Sequence, residues 1–322
     1  MTRAIRILLA LALLGALVLA WALLTGSAGL GWRAVVGTLA GHGTPLAREV
    51  VLGLRLPRAS AAFATGGLLA VAGALMQVLL RNPLADPYVL GISGGAAVGA
   101  LSAMMLGWAG SAASGSAFAG AMLSMVVVFG MARLRGEWSA TRLLLTGVVV
   151  AAGWGAVISL LLALSPDSDL SGMLFWMMGD LGRARGGLPA LLILLAAVAV
   201  CLPLGRHLNL LARGREQAAA LGVNAGPLEL GIYVLASLLT ATAVTVAGTV
   251  GFVGLVVPHM LRLATGNDQR LLLPASALAG GTLLTAADTL ARTVIAPEQL
   301  PVGVITALIG VPTFLYLLNR GS

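Results

Sequence analysis

Charge-free apolar runs divide the chain into segments long enough to cross a bilayer as helices, which takes about 20 residues. Residues 7–32 form the first run, after Arg3 and Arg6. It begins like a signal peptide. Its apolar part, 7–24, is long for that role and lacks a clean small-x-small cleavage site, so a retained helix is expected. Residues 59–80 form the second run. Residues 87–132 carry no charge and suffice for two helices, divided by the Gly/Ser-rich stretch 107–116. Residues 143–166 and 186–205 supply the fifth and sixth. Residues 230–261 suffice for a full seventh span and a short eighth, parted at 248–251. Residues 271–291 supply the ninth, interrupted by Asp288, and residues 299–319 the tenth.

Composition supports this pattern. Of 322 residues, 59% are hydrophobic and 9% charged, with a mean hydropathy of +1.01. Soluble domains carry about 25% charged residues, and this chain has too little polar side chain to cover a water-exposed surface. The expected fold class is therefore an all-α polytopic membrane protein with about ten transmembrane helices in one domain, 1–322. The 43 glycines, many beside Ala and Ser inside the runs, suit close helix–helix approach where no hydrophobic drive operates.

Every one of the 19 basic residues is Arg, and the formal net charge is +8. They stand singly between apolar runs, so they report membrane topology rather than a nucleic-acid surface. With the N-terminus inside, twelve fall in inner segments and seven in outer ones, as the positive-inside rule requires. Arg48, Arg55 and Arg58 oppose the rule. Exported arginines resist insertion, which points to a use for them outside. The lone cysteine, Cys201, lies in an apolar run and reads as packing.

Enzyme signatures are missing. No His-Glu-x-x-His motif occurs, and His42, His207 and His259 are far apart in sequence. A Walker phosphate loop is impossible without lysine. No nucleophile–base pair stands out, so a membrane enzyme is the weakest class. Asp288 has Arg292 four residues on, and an i,i+4 ion pair is the economical reading. A proton-coupled secondary transporter with Asp288 as carrier is the sharper alternative.

Three segments are more specific. Arg55-Leu56-Pro57-Arg58 leads into the second run, which ends at Arg81-Asn82-Pro83-Leu84-Ala85-Asp86-Pro87. Residues 215–221 form a short predicted helix with Gly222 as its stop. Gly251-Phe252-Val253-Gly254-Leu255-Val256-Val257-Pro258-His259 is followed by Asp288-Thr289-Leu290-Ala291-Arg292 and Leu300-Pro301-Val302-Gly303. In this order the strings resemble the FecCD-type permeases, the membrane subunits of type II ABC importers for ferric siderophores, haem and vitamin B12. The resemblance runs from about residue 55 to 318. The last string departs slightly, reading Glu298-Gln299 before Leu300.

The resemblance implies ten helices per subunit and two copies enclosing a central path. It also implies two ATP-binding subunits inside, which carry the ATP and Mg, and a periplasmic or extracellular substrate-binding protein outside. No cofactor, metal or nucleic acid is expected on this chain. Arg55, Arg58 and Arg292 match arginines that face acidic residues of the binding protein. A cytoplasmic coupling loop at about 206–229 would offer Arg215, Glu216, Ala219, Leu221 and Gly222 to the ATPase. Asn82 and Leu84, with Ala140 and Thr141, match inner gate positions; turn stabilisation by Asn82 and helix capping by Thr141 are the plainer alternatives. Trp176, Met177 and Met178 would line the path in a short outer helix, or simply pack. The segment Trp176-Met177-Met178-Gly179-Asp180 leans towards cobalamin over haem, whereas iron chelates are commoner cargo in the family. The implied location is the bacterial inner membrane, with both termini cytoplasmic.

Overall fold

The computed structural model describes residues 2–26, 29–133, 139–182, 184 and 187–320. The described residues contain no strand. Their α-helices are α1 (Thr2–Leu24), α2 (Trp32–Leu39), α3 (Pro45–Arg48), α4 (Leu56–Leu79), α5 (Ile92–Met105), α6 (Ser111–Arg133) and α7 (Ala140–Leu164). The chain continues through α8 (Asp167–Met177), α9 (Gly187–Arg213), α10 (Arg215–Ala220), α11 (Ala225–Ala247), α12 (Val253–Thr265), α13 (Gln269–Ala291) and α14 (Val302–Arg320). The ten expected runs correspond to α1, α4, α5, α6, α7, α9, α11, α12, α13 and α14. Seven stretches among the described residues are long and apolar enough to span alone, while α5, α12 and α14 are shorter apolar helices. Arg135, Arg183 and Arg185, part of the charge count, lie outside the described residues.

Helix α4 is the central post. It packs against α13, α11, α9 and α12, and residues 68–76 are all buried. Its sequence permits this because it is mostly Ala, Gly and Leu. A Cβ on Gly66 would lie 2.2 Å from the Gly280 carbonyl oxygen of α13, and one on Gly280 would lie 2.4 Å from the Gly66 carbonyl. At Gly73 the imagined Cβ sits 1.8 Å from the Gly254 carbonyl of α12. The backbones meet directly, as small residues allow within membranes. Threonines in α13 avoid unmet hydroxyls by bonding back one turn: Thr285 Oγ1 donates to the Gly281 carbonyl at 2.8 Å and Thr289 Oγ1 to the Thr285 carbonyl at 2.8 Å.

The second run is longer than its charge-free stretch suggested. α3, a π-helical turn Glu49–Arg55 and α4 form one continuous helical stretch, Pro45–Leu79. Pro57 sits in the first turn of α4, where a missing N–H is best tolerated. The π turn sets Arg55 and Arg58 three residues apart at the head of the post, on neighbouring positions of one face.

The α5 and α12 helices are only 14 and 13 residues long. α5 follows a single 3-10 turn, Pro87–Leu90, and Gly91 takes a left-handed conformation between them (φ 68°). Trp154 of α7 braces this turn: its Nε1 donates to Ser124 Oγ at 2.9 Å, and Ser124 Oγ donates to the Gly91 carbonyl at 2.9 Å. The break expected at 248–251 lies between α11 and α12, and Phe252 there is also left-handed (φ 69°).

The loop expected at 206–229 is shorter than the resemblance implied. Residues 206–213 complete α9 and 225–229 begin α11, so only 214–224 connect them. Arg206 does not end the helix, which runs on to Arg213, because a helix leaving the hydrocarbon can carry solvated arginines on its last turns.

The tight backbone contacts make a direct prediction. Gly66→Ala and Gly73→Ala should each lower stability by about 3 kcal/mol through overpacking, read as loss of folded, monodisperse protein on heating in detergent. Gly231→Ala, where an added Cβ meets nothing within 4 Å, should behave as the parent.

Candidate functional site

Two clefts flank opposite ends of α4. The first, of ≈ 980 Å³, lies where α4 begins and α13 ends; Arg55, Arg58, Arg292, Glu49, Leu181 and Gln299 are among its lining residues. The three arginines picked out in the sequence are therefore brought together, although Arg292 lies more than 230 residues from the other two. Arg58 Nη2 donates to Asp288 Oδ1 at 2.8 Å, and its Nε donates to Oδ2 at 2.9 Å. Its Nη1 donates to Gln299 Oε1 at 2.7 Å. The expected Asp288–Arg292 pair is thus secondary: Arg292 Nε stands 3.9 Å from Asp288 Oδ2. Arg58 prevails because its fork meets the carboxylate edge-on across α4 and α13, a geometry denied to a neighbour on the same helix.

Arg55 and Arg292 serve the end of α1. Arg55 Nη1 donates to the carbonyls of Leu23 (2.7 Å) and Leu24 (3.2 Å). Arg292 Nη1 donates to the Thr25 carbonyl at 2.9 Å and its Nη2 to the Ala22 carbonyl. The Trp21 carbonyl accepts from Thr25 N. All four final carbonyls of α1, which lack partners within the helix, are satisfied, and two cations meet the negative end of its dipole. Arg55 is only 5% exposed. Its Nη2 is buried without a hydrogen-bond partner among the described residues, as is Arg292 Nε. Two guanidiniums thus retain donor capacity beside an open cleft.

At the opposite end of α4, the segment 214–224 presents α10. Gly222 stops it as expected, in a left-handed conformation (φ +83°). Val223 N donates to the Ala218 carbonyl and Gly222 N to the Ala219 carbonyl, both at 3.0 Å, which closes a Schellman cap. Ala218 and Val223 are buried beneath it, Arg215 is half-buried, and Glu216, Ala219, Leu221 and Gly222 are exposed. A rigid, shallow ridge with one acidic and one basic flank results, while Leu221 stands bare at its tip.

The remaining positions fall out as follows. Asn82 Oδ1 accepts from Leu84 N at 2.9 Å, which fixes the turn after α4, and Leu84 is exposed. Thr141 is not the cap of α7; Ser139 Oγ accepts from Arg142 N instead, at 3.1 Å. Thr141 is exposed and Ala140 half-buried. The short helix expected at 175–180 is the end of α8. There Val302 N donates to the Gly179 carbonyl and Gly303 N to the Met178 carbonyl, each at 3.0 Å, and Asp180 N donates to the Ala247 carbonyl at 2.9 Å. These bonds tie α8 to α11 and α14. Trp176 and Met177 pack partly against the core, and Met178 is exposed. The residues that sequence reasoning missed are Asp288 as Arg58's partner and Gln299 beside it. Separation by 230 positions or more left no local signal for either.

The described residues form a helical body in which seven stretches are long and apolar enough to cross a bilayer, arranged around a buried central helix, which is the fold of a polytopic membrane protein. The chain matches the FecCD transport family over residues 11–320. It is 42% identical over 300 residues to the cobalamin import system permease protein BtuC of Halobacterium salinarum, covering 91% of this chain and 80% of that protein. It is 43% identical over 280 residues to the hemin transport system permease protein HmuU of Yersinia pestis, covering 84% of each. A solved structure described as an inward-facing conformation of a metal-chelate type ABC transporter superposes with a TM-score of 0.86 at 29% identity, covering 98% of this chain and 99% of the other. The chain belongs to the FecCD transport family, and it is an ABC-transporter permease of the membrane.

Two measurements probe these geometries. Asp288→Asn leaves the half-buried Arg58 without its counter-charge and should cost about 2–3 kcal/mol in denaturant unfolding; adding Arg58→Gln should restore part of that loss, as a double-mutant cycle reads. The second concerns Asp86, in the turn before α5. Burial pushes its carboxyl up to about 6, against the backbone N–H of Tyr88, which pulls it down. A raised carboxyl favours the folded state while protonated. Its contribution is therefore full below about pH 4 and lost as pH rises through about 6. Asp86→Asn should remove that component, so the parent-minus-variant melting difference should fall between pH 4 and pH 7.

Proposed function

We propose that this permease is the membrane subunit of an ATP-driven importer that moves a bulky metal chelate, of the cobalamin, haem or ferric-siderophore class, by alternating access. Two copies would enclose the path. Two ATP-binding subunits would grip α10 and its flank, through Arg215, Glu216, Ala219, Leu221 and Gly222, and carry the ATP and Mg. A substrate-binding protein would dock over the cleft that holds Arg55, Arg58 and Arg292. The observation that carries this reading is the pairing of a three-arginine cleft and a rigid exposed ridge at opposite ends of one buried helix.

The chemistry suits each role. The cleft gathers three cations against one carboxylate, a field that would attract docking carboxylates, and charge-assisted contacts with arginine orient a partner as well as hold it. A ridge of small residues lets a partner's groove close on backbone. The turn at Asn82 and Leu84 and the start of α7 at Ala140 and Thr141 belong to the ridge end, where an inner gate is required; Trp176, Met177 and Met178 belong to the other end of the path. Relatives named for cobalamin and for hemin are equally similar, so the proposal is the chelate class. The location proposed is the bacterial inner membrane, with both termini and α10 on the cytoplasmic side.

The test is an uptake and docking assay on the complex reconstituted with its ATPase and binding protein. Arg55→Glu with Arg58→Glu should abolish binding-protein capture, and uptake of a cobalamin, haem or siderophore chelate should fall at least tenfold and require ATP. Uptake that persists without the ATPase and collapses with an uncoupler would instead support proton coupling.

A further inference from the structure

The second cleft, of ≈ 590 Å³, opens at the α10 end, beside the Asn82 turn, and no ligand has been assigned to it above. It is lined by Gln77, Arg81, Asn209, Arg213, Arg262 and Gln269 among others, with Asp268 as its one acid. We infer that this cleft is a binding site for a phosphate-bearing anion with a hydroxylated head, of the phosphatidylglycerol type.

Charge is the first reason. Three guanidiniums face one carboxylate, and that carboxylate is already engaged. Asn209 Nδ2 donates to Asp268 Oδ1 at 2.9 Å, and Arg270 lies 3.9 Å away. Asn209's amide holds the Asp268 carboxyl below its usual range, so it stays ionised and offsets one of the three cations. The cleft keeps a surplus of positive charge.

Preorganisation is the second. Arg262 Nη2 donates to Gln77 Oε1 at 2.9 Å, which fixes the guanidinium, while its Nε is buried without an acceptor. Arg81 takes a left-handed conformation (φ 49°) as the residue after the α4 C-cap, where Asn82 N donates to the Gln77 carbonyl at 3.2 Å and Arg81 N to the Val78 carbonyl at 3.3 Å. This Schellman cap fixes the backbone from which the Arg81 side chain starts.

Gln269 supplies an independent pointer. It is 2% exposed and lines the cleft, yet its Oε1 has no donor among the described residues. A buried amide oxygen without a partner is costly. A phosphodiester by itself cannot satisfy it, because it has no proton to give. A glycerol hydroxyl on the same ligand can. The arginines thus select the phosphate, and Gln269 selects the head.

Position favours a lipid as the source. The cleft lies where α4, α9 and α12 end and α13 begins, at the boundary where a headgroup sits. Met260 and Leu263 stand exposed on the adjoining helix, offering apolar surface for acyl chains. Basic pockets between helices at such a boundary are recognised headgroup sites in membrane proteins.

Native mass spectrometry of the full chain, released from mixed phosphatidylglycerol and phosphatidylcholine micelles, tests this. The parent should retain phosphatidylglycerol preferentially. Arg81→Gln with Arg213→Gln should weaken that retention about tenfold, and Gln269→Leu should remove the preference for phosphatidylglycerol over phosphatidylmethanol, an anionic phosphodiester with no head hydroxyl. Arg213→Gln alone, on an exposed side chain, guards against misfolding and should show a smaller loss in the same direction. Retention that survives 10 mM inorganic phosphate, roughly a saturating level for a bare anion site, identifies the lipid as source; displacement by it identifies a soluble phosphate. Equal retention of phosphatidylcholine, or retention unchanged in the arginine variants, would overturn the inference.

Discussion

Helix α4 touches α13 and α12 with no side chain between the backbones, and the placement of almost every polar group follows from that closeness. At Gly66, Gly73 and Gly280 a single methyl would collide with a carbonyl oxygen. A post packed this tightly is inaccessible to lipid and water along its length, so its charged residues can only sit at its ends. Arg55 and Arg58 crown one end and Arg81 follows the other. The two clefts are therefore consequences of the packing: where the small-residue seams stop, the helices splay and long side chains fill the gap.

Electrostatics at the Arg58 end show how such charges are tolerated. Three cations gathered near one point repel, and burial raises the cost. The structure offsets this in two ways. Asp288 neutralises Arg58 through a bidentate contact, and the carbonyl end of α1 supplies partial negative charge to Arg55 and Arg292. The arrangement suits arginine and not lysine, because each guanidinium addresses two acceptors at once in a fixed plane. It also explains how a largely lipid-facing helix is attached. Helix α1 buries little of its surface, and its last turn is secured by long arginine side chains reaching from the π turn before α4 and from the C-cap of α13.

Much of this architecture was legible because hydrophobic runs measure the membrane directly. The breaks at 107–116 and 248–251 were readable from glycine, and α10 with its stop at Gly222 from local capping chemistry. What escaped was non-local or cooperative. The partner of Asp288 could not be read from sequence, since the i,i+4 neighbour Arg292 looked sufficient and Arg58 lies 230 positions away. The π turn at Glu49–Arg55 has no compositional mark. The connection within 206–229 is shorter than the resemblance implies, because α9 carries Arg206 and Arg213 on its solvated final turns and α11 begins at Ala225. For Thr141, the neighbouring Ser139 was equally able to cap, and only the backbone geometry decided between them.

The continuity of the post limits the ways in which the two ends can communicate. Helix α4 has no proline beyond its first turn and no internal break, so it cannot bend to pass a signal. Its seams with α13 and α12 are smooth, made of backbone and small side chains, and smooth seams resist separation yet permit sliding and rotation. The peripheral elements differ. α5 and α12 begin at left-handed joints, Gly91 and Phe252, and these joints are hinge-like points where the chain changes direction. An alternating-access cycle of the kind proposed would then move the short, jointed helices around a fixed α4. The ion-paired cluster at Asp288 and the basic cleft at Arg81 would stay in register with each other throughout, because the same rigid helix carries both ends.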